Sequence, residues 1–162
     1  GKKAQESIGM SFSTIFSIIL IIFFVVVAFI AINYFLNMKK CAQIGIFVNN
    51  LQEDIDNAWN SQQAGFDFIG ELPPGIKFVC FANASRSLIG ETAGELSIYK
   101  SSGSNMFFYP RTESCDIPNH LIKHIDIGKI IKSKNPYCIA PDKAQVKIKI
   151  DKSFSDSLVS LK

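Results

Sequence analysis

Ile15-Phe16-Ser17-Ile18-Ile19-Leu20-Ile21-Ile22-Phe23-Phe24-Val25-Val26-Val27-Ala28-Phe29-Ile30-Ala31-Ile32 is the stretch on which the architecture turns, because Ser17 is its only side chain that is not apolar. A helix in the core of a water-soluble domain buries one face and wets the other, so an apolar run of this length exceeds what packing inside one chain can cover. The charge-free zone is wider still, with no Asp, Glu, Lys or Arg from Ser7 to Met38. A plain soluble globular protein is excluded, and so is disorder over this segment. Residues 1–38 are therefore expected to form a helix that lies in lipid or among other apolar helices.

Outward from that run the pattern changes but the helix does not stop. Apolar residues recur at Cys41, Ile44, Val48, Leu51, Ile55 and Ala58 with Trp59, while Gln52, Glu53, Asp54, Asp56 and Asn57 fill the other sides. Steps of three and four residues mark an amphipathic helix with one face to bury. No Pro stands between Glu6 and Gln62, so nothing obliges a break, and residues 39–64 read as a continuation of the same helix.

Beyond Gly65 the period shortens. Ile76 to Ala82, Glu95 to Lys100, Asn105 to Tyr109, Leu121 to Ile127 and Ala144 to Asp151 are runs rich in β-branched and aromatic residues, punctuated by Pro73-Pro74-Gly75, Gly90, Gly94, Gly103, Pro110, Pro118 and Pro136. Val146, Ile148 and Ile150 alternate with Lys147 and Lys149, the pattern of a strand with one dry face. The fold class is α+β, a long N-terminal helix packed on an antiparallel sheet in a head of residues 66–162, because a sheet must cover its apolar side with another layer.

The chain has 162 residues, of which 48% are hydrophobic and 19% charged, with a formal net charge of +3. So small a charge argues against nucleic acid as a partner, since phosphate contacts need a basic stripe. Lysines gather between Lys123 and Lys152, as a basic face for acidic polymer or a neighbouring subunit, or as a solvated strand edge protected by charge. Cys41, Cys80, Cys115 and Cys138 are even in number, all beyond the apolar run, and lack the spacing of a zinc knuckle or redox pair. Two disulfides in an oxidising compartment are expected. Of the three pairings, Cys41 with Cys80 is favoured, leaving Cys115 with Cys138, because Cys41 shares the helix face of Ile44 and Val48 and Cys80 shares a strand face with Ile76 and Phe78. Asn83-Ala84-Ser85 is a sequon in a loop after a strand, a candidate glycan site at Asn83 that also points outside the cell.

Lys2-Lys3-Ala4 followed by Gln5-Glu6 and an uncharged helix resembles the class III signal of type IV pilins and archaellins, which is cut on the cytoplasmic side ahead of the apolar helix. The likeness covers the first 60 residues in architecture and Lys2 to Glu6 in motif. It implies a helix whose first half packs with copies of itself in a filament core, with Ile15, Ile19, Ile22, Phe23, Val26 and Ile30 among the assembly residues. Glu6 is similar to the acidic residue that many pilins use in assembly. The resemblance also implies a signal peptidase and a pilus assembly machinery as partners, and residence in the cytoplasmic membrane before assembly. A helix apolar on every side is satisfied by lipid or by identical helices whatever its family. Ser11, Ser13, Thr14 and Ser17 supply small polar positions for helix contacts, or simply bond back to their own helix.

Chemistry is sparse elsewhere. His120 and His124, with Cys115, Asp116 and Asp126 nearby, are the one constellation suggestive of a metal, but the strand-like alternation around them and the missing Glu of an H-E-x-x-H motif weigh against it. No nucleophile elbow, P-loop, dinucleotide fingerprint or haem attachment is present. Phe107, Phe108 and Tyr109 read as core. The expectation is a structural subunit of a pilus-like surface filament serving adhesion or motility, with no reaction, cofactor or metal of its own. A single-pass membrane protein with an extracellular binding or scaffold domain is the second reading.

Overall fold

The computed structural model describes residues 3–115 and 117–162, with side chains described from Phe12 onward. Helix α1 runs from Lys3 to Asn60. The chain divides into two units, residues 1–39 and residues 40–162. The first is helical throughout its described length and carries no other element.

In the second unit the last 21 residues of α1, 40–60, form the amphipathic part. Ile44, Phe47, Val48, Leu51, Ile55 and Ala58 are buried, which is the expected stripe with Phe47 added at its centre and its two ends open, Cys41 being half-buried and Trp59 exposed. Strands β1 (Ala64–Glu71), β6 (Gln145–Lys152) and β7 (Ser160–Leu161) make one antiparallel sheet in the order β1-β6-β7. Strands β2 (Phe78–Phe81), β3 (Met106–Tyr109), β4 (Asn119–His120) and β5 (Tyr137–Ile139) make a second, in the order β4-β3-β2-β5. The expected antiparallel sheet is thus two sheets. Both contribute to one core: Val146, Ile148 and Ile150 from β6 and Val79, Phe81, Met106 and Phe108 from the second sheet pack with the buried stripe of α1. In β6, Lys147 and Lys149 point outward as the alternation requires.

The second sheet is covered on its far side as well. Cys80, Ala82 and Phe107 pack there with Leu96 and Ala84. This cover explains one departure from expectation: Glu95 to Lys100 is not a strand but the end of helix α2 (Ala93–Leu96) and a 3-10 turn over Ser97–Tyr99. Leu96 and Tyr99, three apart, place their side chains on the sheet, which a strand's alternation would not do. The run Leu121 to Ile127 departs too. Asn105 donates from its amide to Ile122 O and accepts from Ile122 N, both at 2.8 Å, so a side chain replaces a ladder partner. His124 then turns the chain at φ 64°, and Asp126 caps helix α3 (Ile127–Ile130) by accepting from Lys129 N.

The disulfides are Cys41–Cys115 and Cys80–Cys138, not Cys41–Cys80 and Cys115–Cys138. Cys80 shares its face of β2 with Phe78 but not with Ile76, which packs in the core beside α1; the Cys80 face is the one turned away from α1, while Val79 and Phe81 face the helix. Cys138 lies directly opposite Cys80 across the β2–β5 ladder, with Cα atoms 4.0 Å apart. Cys41 is left to reach the loop after the 3-10 turn Arg111–Glu113, where Cys115 sits.

Candidate functional site

Helix formation over the apolar unit follows from the absence of Pro and from the chain's need to bond every backbone group internally when its surroundings are apolar. Ile15, Ile19, Ile22, Phe23, Val26 and Ile30 recur at three- and four-residue steps and so share one side of α1, each with 52–62% of its surface exposed. On the remaining sides Ile18, Ile21, Phe24, Val25 and Phe29 are also exposed, and even the least open, Leu20 and Val27, keep 39% and 45% of their surface. Among the described residues of this unit, then, no side of the helix is covered. Its window of highest hydropathy averages 3.4, and the helix is long and apolar enough to cross a membrane. Ser17 Oγ donates to Ser13 O at 2.9 Å, which satisfies that hydroxyl inside the helix. Lys2 lies outside the described residues, as do the side chains of Lys3, Ala4, Gln5 and Glu6, so the processing motif and the acidic assembly position are not placed.

The other sites named from the sequence fall in the head. Asn83 and Ser85 lie in the turn after β2; Asn83 Oδ1 accepts from Ser85 N at 3.0 Å, and Ser85 Oγ donates to Lys100 O. Asn83 is half-buried and is held by Asn135, whose side chain accepts from Asn83 N and donates to Asn83 O. Lys40 is paired with Glu113. His124 is taken up elsewhere: it stacks on the Trp59 indole at 3.8 Å with planes 5° apart, and its Nδ1 lies 2.8 Å from Asp56 Oδ1, while His120 lies in β4 opposite Met106 and Asp116 lies outside the described residues. Cys115 is bound to Cys41 and offers no thiolate. Among the described residues no three His, Cys, Asp or Glu side chains gather as a metal site would require.

Several structural roles were not anticipated. Lys152 is buried and donates from Nζ to Trp59 O and Ser61 O, closing the C-terminal end of α1 with a cation where the helix dipole favours one. The signal was there, because Lys152 shares the inward parity of Val146, Ile148 and Ile150. Gln52, Asp56 and Trp59 form a ledge along α1 that docks residues 123–124: Gln52 Oε1 accepts from Lys123 N and Gln52 Nε2 donates to Asp56 Oδ1. Other lysines are paired, Lys129 with Asp156, Lys147 with Asp67 and Lys162 with Asp151. Lys162 and Lys129 hold the carboxyls of Asp151 and Asp156 below the usual range by hydrogen bonding them. Asp54 is shifted the other way, by burial and by its neighbour Glu53.

Compared with known proteins, the chain matches no family model, no curated protein and no solved structure.

Proposed function

We propose that this protein is a structural subunit of a type IV pilus-like cell-surface filament, polymerising through its apolar N-terminal helix and serving adhesion or motility. The observation that carries the reading is the apolar surface of residues 12–38, uncovered around the whole circumference of α1. Each large apolar side chain removed from water contributes about 1.5–3 kcal/mol, so a run of this kind does not stay wet. Lipid covers it before assembly and copies of the same helix cover it afterwards. The exchange is close to neutral because both surroundings are equally apolar and packing decides. Repetition of one head-to-tail contact that does not close gives an open helical polymer.

The oxidised cysteines and the sequon at Asn83 favour a head outside the cell, and the basic N-terminal motif implies a signal peptidase and an assembly machinery in the cytoplasmic membrane. Electron microscopy of material sheared from cells that make the chain, with antibody against the head, tests the proposal. Labelled fibres support it. A chain that stays in the membrane fraction, is absent from every fibre and disperses as single copies in micelles overturns it in favour of a single-pass anchor carrying a binding or scaffold domain. N-terminal sequencing of the native chain reports whether processing occurs within Lys2 to Glu6.

A further inference from the structure

The geometry points to the open edge of β1 as a docking site for an extended segment of another polypeptide, one with apolar side chains on one face and Lys or Arg on the other. This goes beyond the filament reading and concerns the head alone. Strand β1 is an outer strand of its sheet and, at eight residues, the longest open edge among the described residues; β4, β5 and β7 have two, three and two. The phase of its ladder is set by Leu72, whose N–H donates to Ala144 O at 2.8 Å beside the Glu71–Gln145 pair. Antiparallel alternation then turns the N–H and C=O of Gly65, Asp67, Ile69 and Glu71 away from β6 to the open side. Edges left in this state pair with other chains unless guarded by charge, Pro, a bulge or short length; Ala64–Glu71 is long, without Pro or bulge, and its charges, Asp67 and Glu71, are both acidic, so they repel a like strand and leave a basic one free to add.

The flank of the helix beside this edge is uncovered too. A groove between α1 and β1 is lined by Gln43, Ile46, Asn50, Ile69 and Glu71, with Ile46 58% and Ile69 62% exposed. A fourth strand added beyond β1 lays one row of side chains toward Ile46 and the other beside Ile69. Charge names the second row. On the strand's paired side, Asp67 already takes Lys147 of β6 at 2.9 Å, and Glu71 makes no ion pair among the described residues. Lysine or arginine therefore suits the outer row. A second copy of β1 does not, because two such edges set together put Asp67 and Glu71 of both copies on one strip. The chain's own segment of the right alternation, Gln145–Lys152, is already built in as β6. The occupant is thus another protein, held by strand addition.

The probe is a synthetic peptide copying Gln145–Lys152, offered to the full chain in detergent micelles while amide hydrogen exchange is followed residue by residue. The expected result is slowed exchange at Gly65, Asp67, Ile69 and Glu71, with Phe66, Phe68 and Gly70 unchanged. A peptide carrying Lys147→Glu and Lys149→Glu is expected to bind about tenfold more weakly or worse. Ile69→Pro removes an outward donor without touching the β1–β6 ladder and is expected to abolish the slowing; should that variant unfold, the acidic peptide decides alone. Unchanged exchange at millimolar peptide, equal binding of the acidic peptide, or slowing without peptide that grows with protein concentration, the mark of a second copy on the edge, each overturns the proposal.

Discussion

Gly70 shows how one residue position sets the fit between helix and sheet. A Cβ there would stand 2.5 Å from the Phe47 ring and 2.7 Å from Phe68. Those rings have no room to yield, since Phe47 lies edge-on to both Phe68 and Phe108 in the core. Gly70→Ala is expected to destabilise the head by about 1–3 kcal/mol, read as a lower urea midpoint. Lys152→Met, which keeps the stem and removes the ammonium that closes α1, is expected to cost about 1–3 kcal/mol by the same measurement, while Lys149→Met on the outer face stays within about 0.5 kcal/mol. Asp151 and Asp156 give a pH dependence. Their carboxyls are held low in the folded chain by Lys162 and Lys129, so on acidification the unfolded chain takes up protons first. Their stabilisation is complete above the ordinary carboxyl value and is lost below about pH 4. An Asp151→Asn, Asp156→Asn double variant is expected to show a flatter fall of the urea midpoint over that range. Asp54, raised by burial and Glu53, opposes the trend by gaining from protonation. Lys152 and Gly70 were missed for a common reason, because each role is defined by a partner distant in sequence.

Among the elements, the amphipathic part of α1 and strand β6 were legible because their own periodicity records a neighbour: Ile44, Val48, Leu51 and Ile55 face the core, as do Val146, Ile148 and Ile150. Leu121 to Ile127 was not legible, since Asn105 supplies by side chain what a strand would have supplied by backbone. The disulfides belong to this scale as well. Mass spectrometry of the unreduced, digested chain is expected to find Cys41 linked to Cys115 and Cys80 to Cys138. They close separations of 74 and 58 residues, and loss of either is expected to lower stability by about 4 kcal/mol in the chain-entropy model.

For the whole molecule the governing quantity is the apolar surface of residues 12–38. Ile22→Lys sets a charge in the middle of it at a cost of about 2.5–3.5 kcal/mol in lipid. Cells carrying that variant are expected to shed no labelled fibres under the electron microscope, while the head keeps its two disulfides. A chain beginning at Lys40 is expected to be water-soluble and to sediment as a single copy, because what it lacks is the surface proposed to drive association.

By itself the sequence determined that the apolar run of residues 15–32 lies in a helix its own chain cannot cover, that the helix beyond it buries one face through Ile44, Val48, Leu51 and Ile55, that the head is β-rich, and that Val146 to Ile150 alternate between core and water. These are properties of composition and period, carried by neighbours along the chain. Only the tertiary structure decided the split into two sheets, the face of Cys80, the helix over Ser97–Tyr99 and the burial of Lys152. Each of those depends on which distant backbone group or side chain arrives to complete a bond, and no local pattern records that.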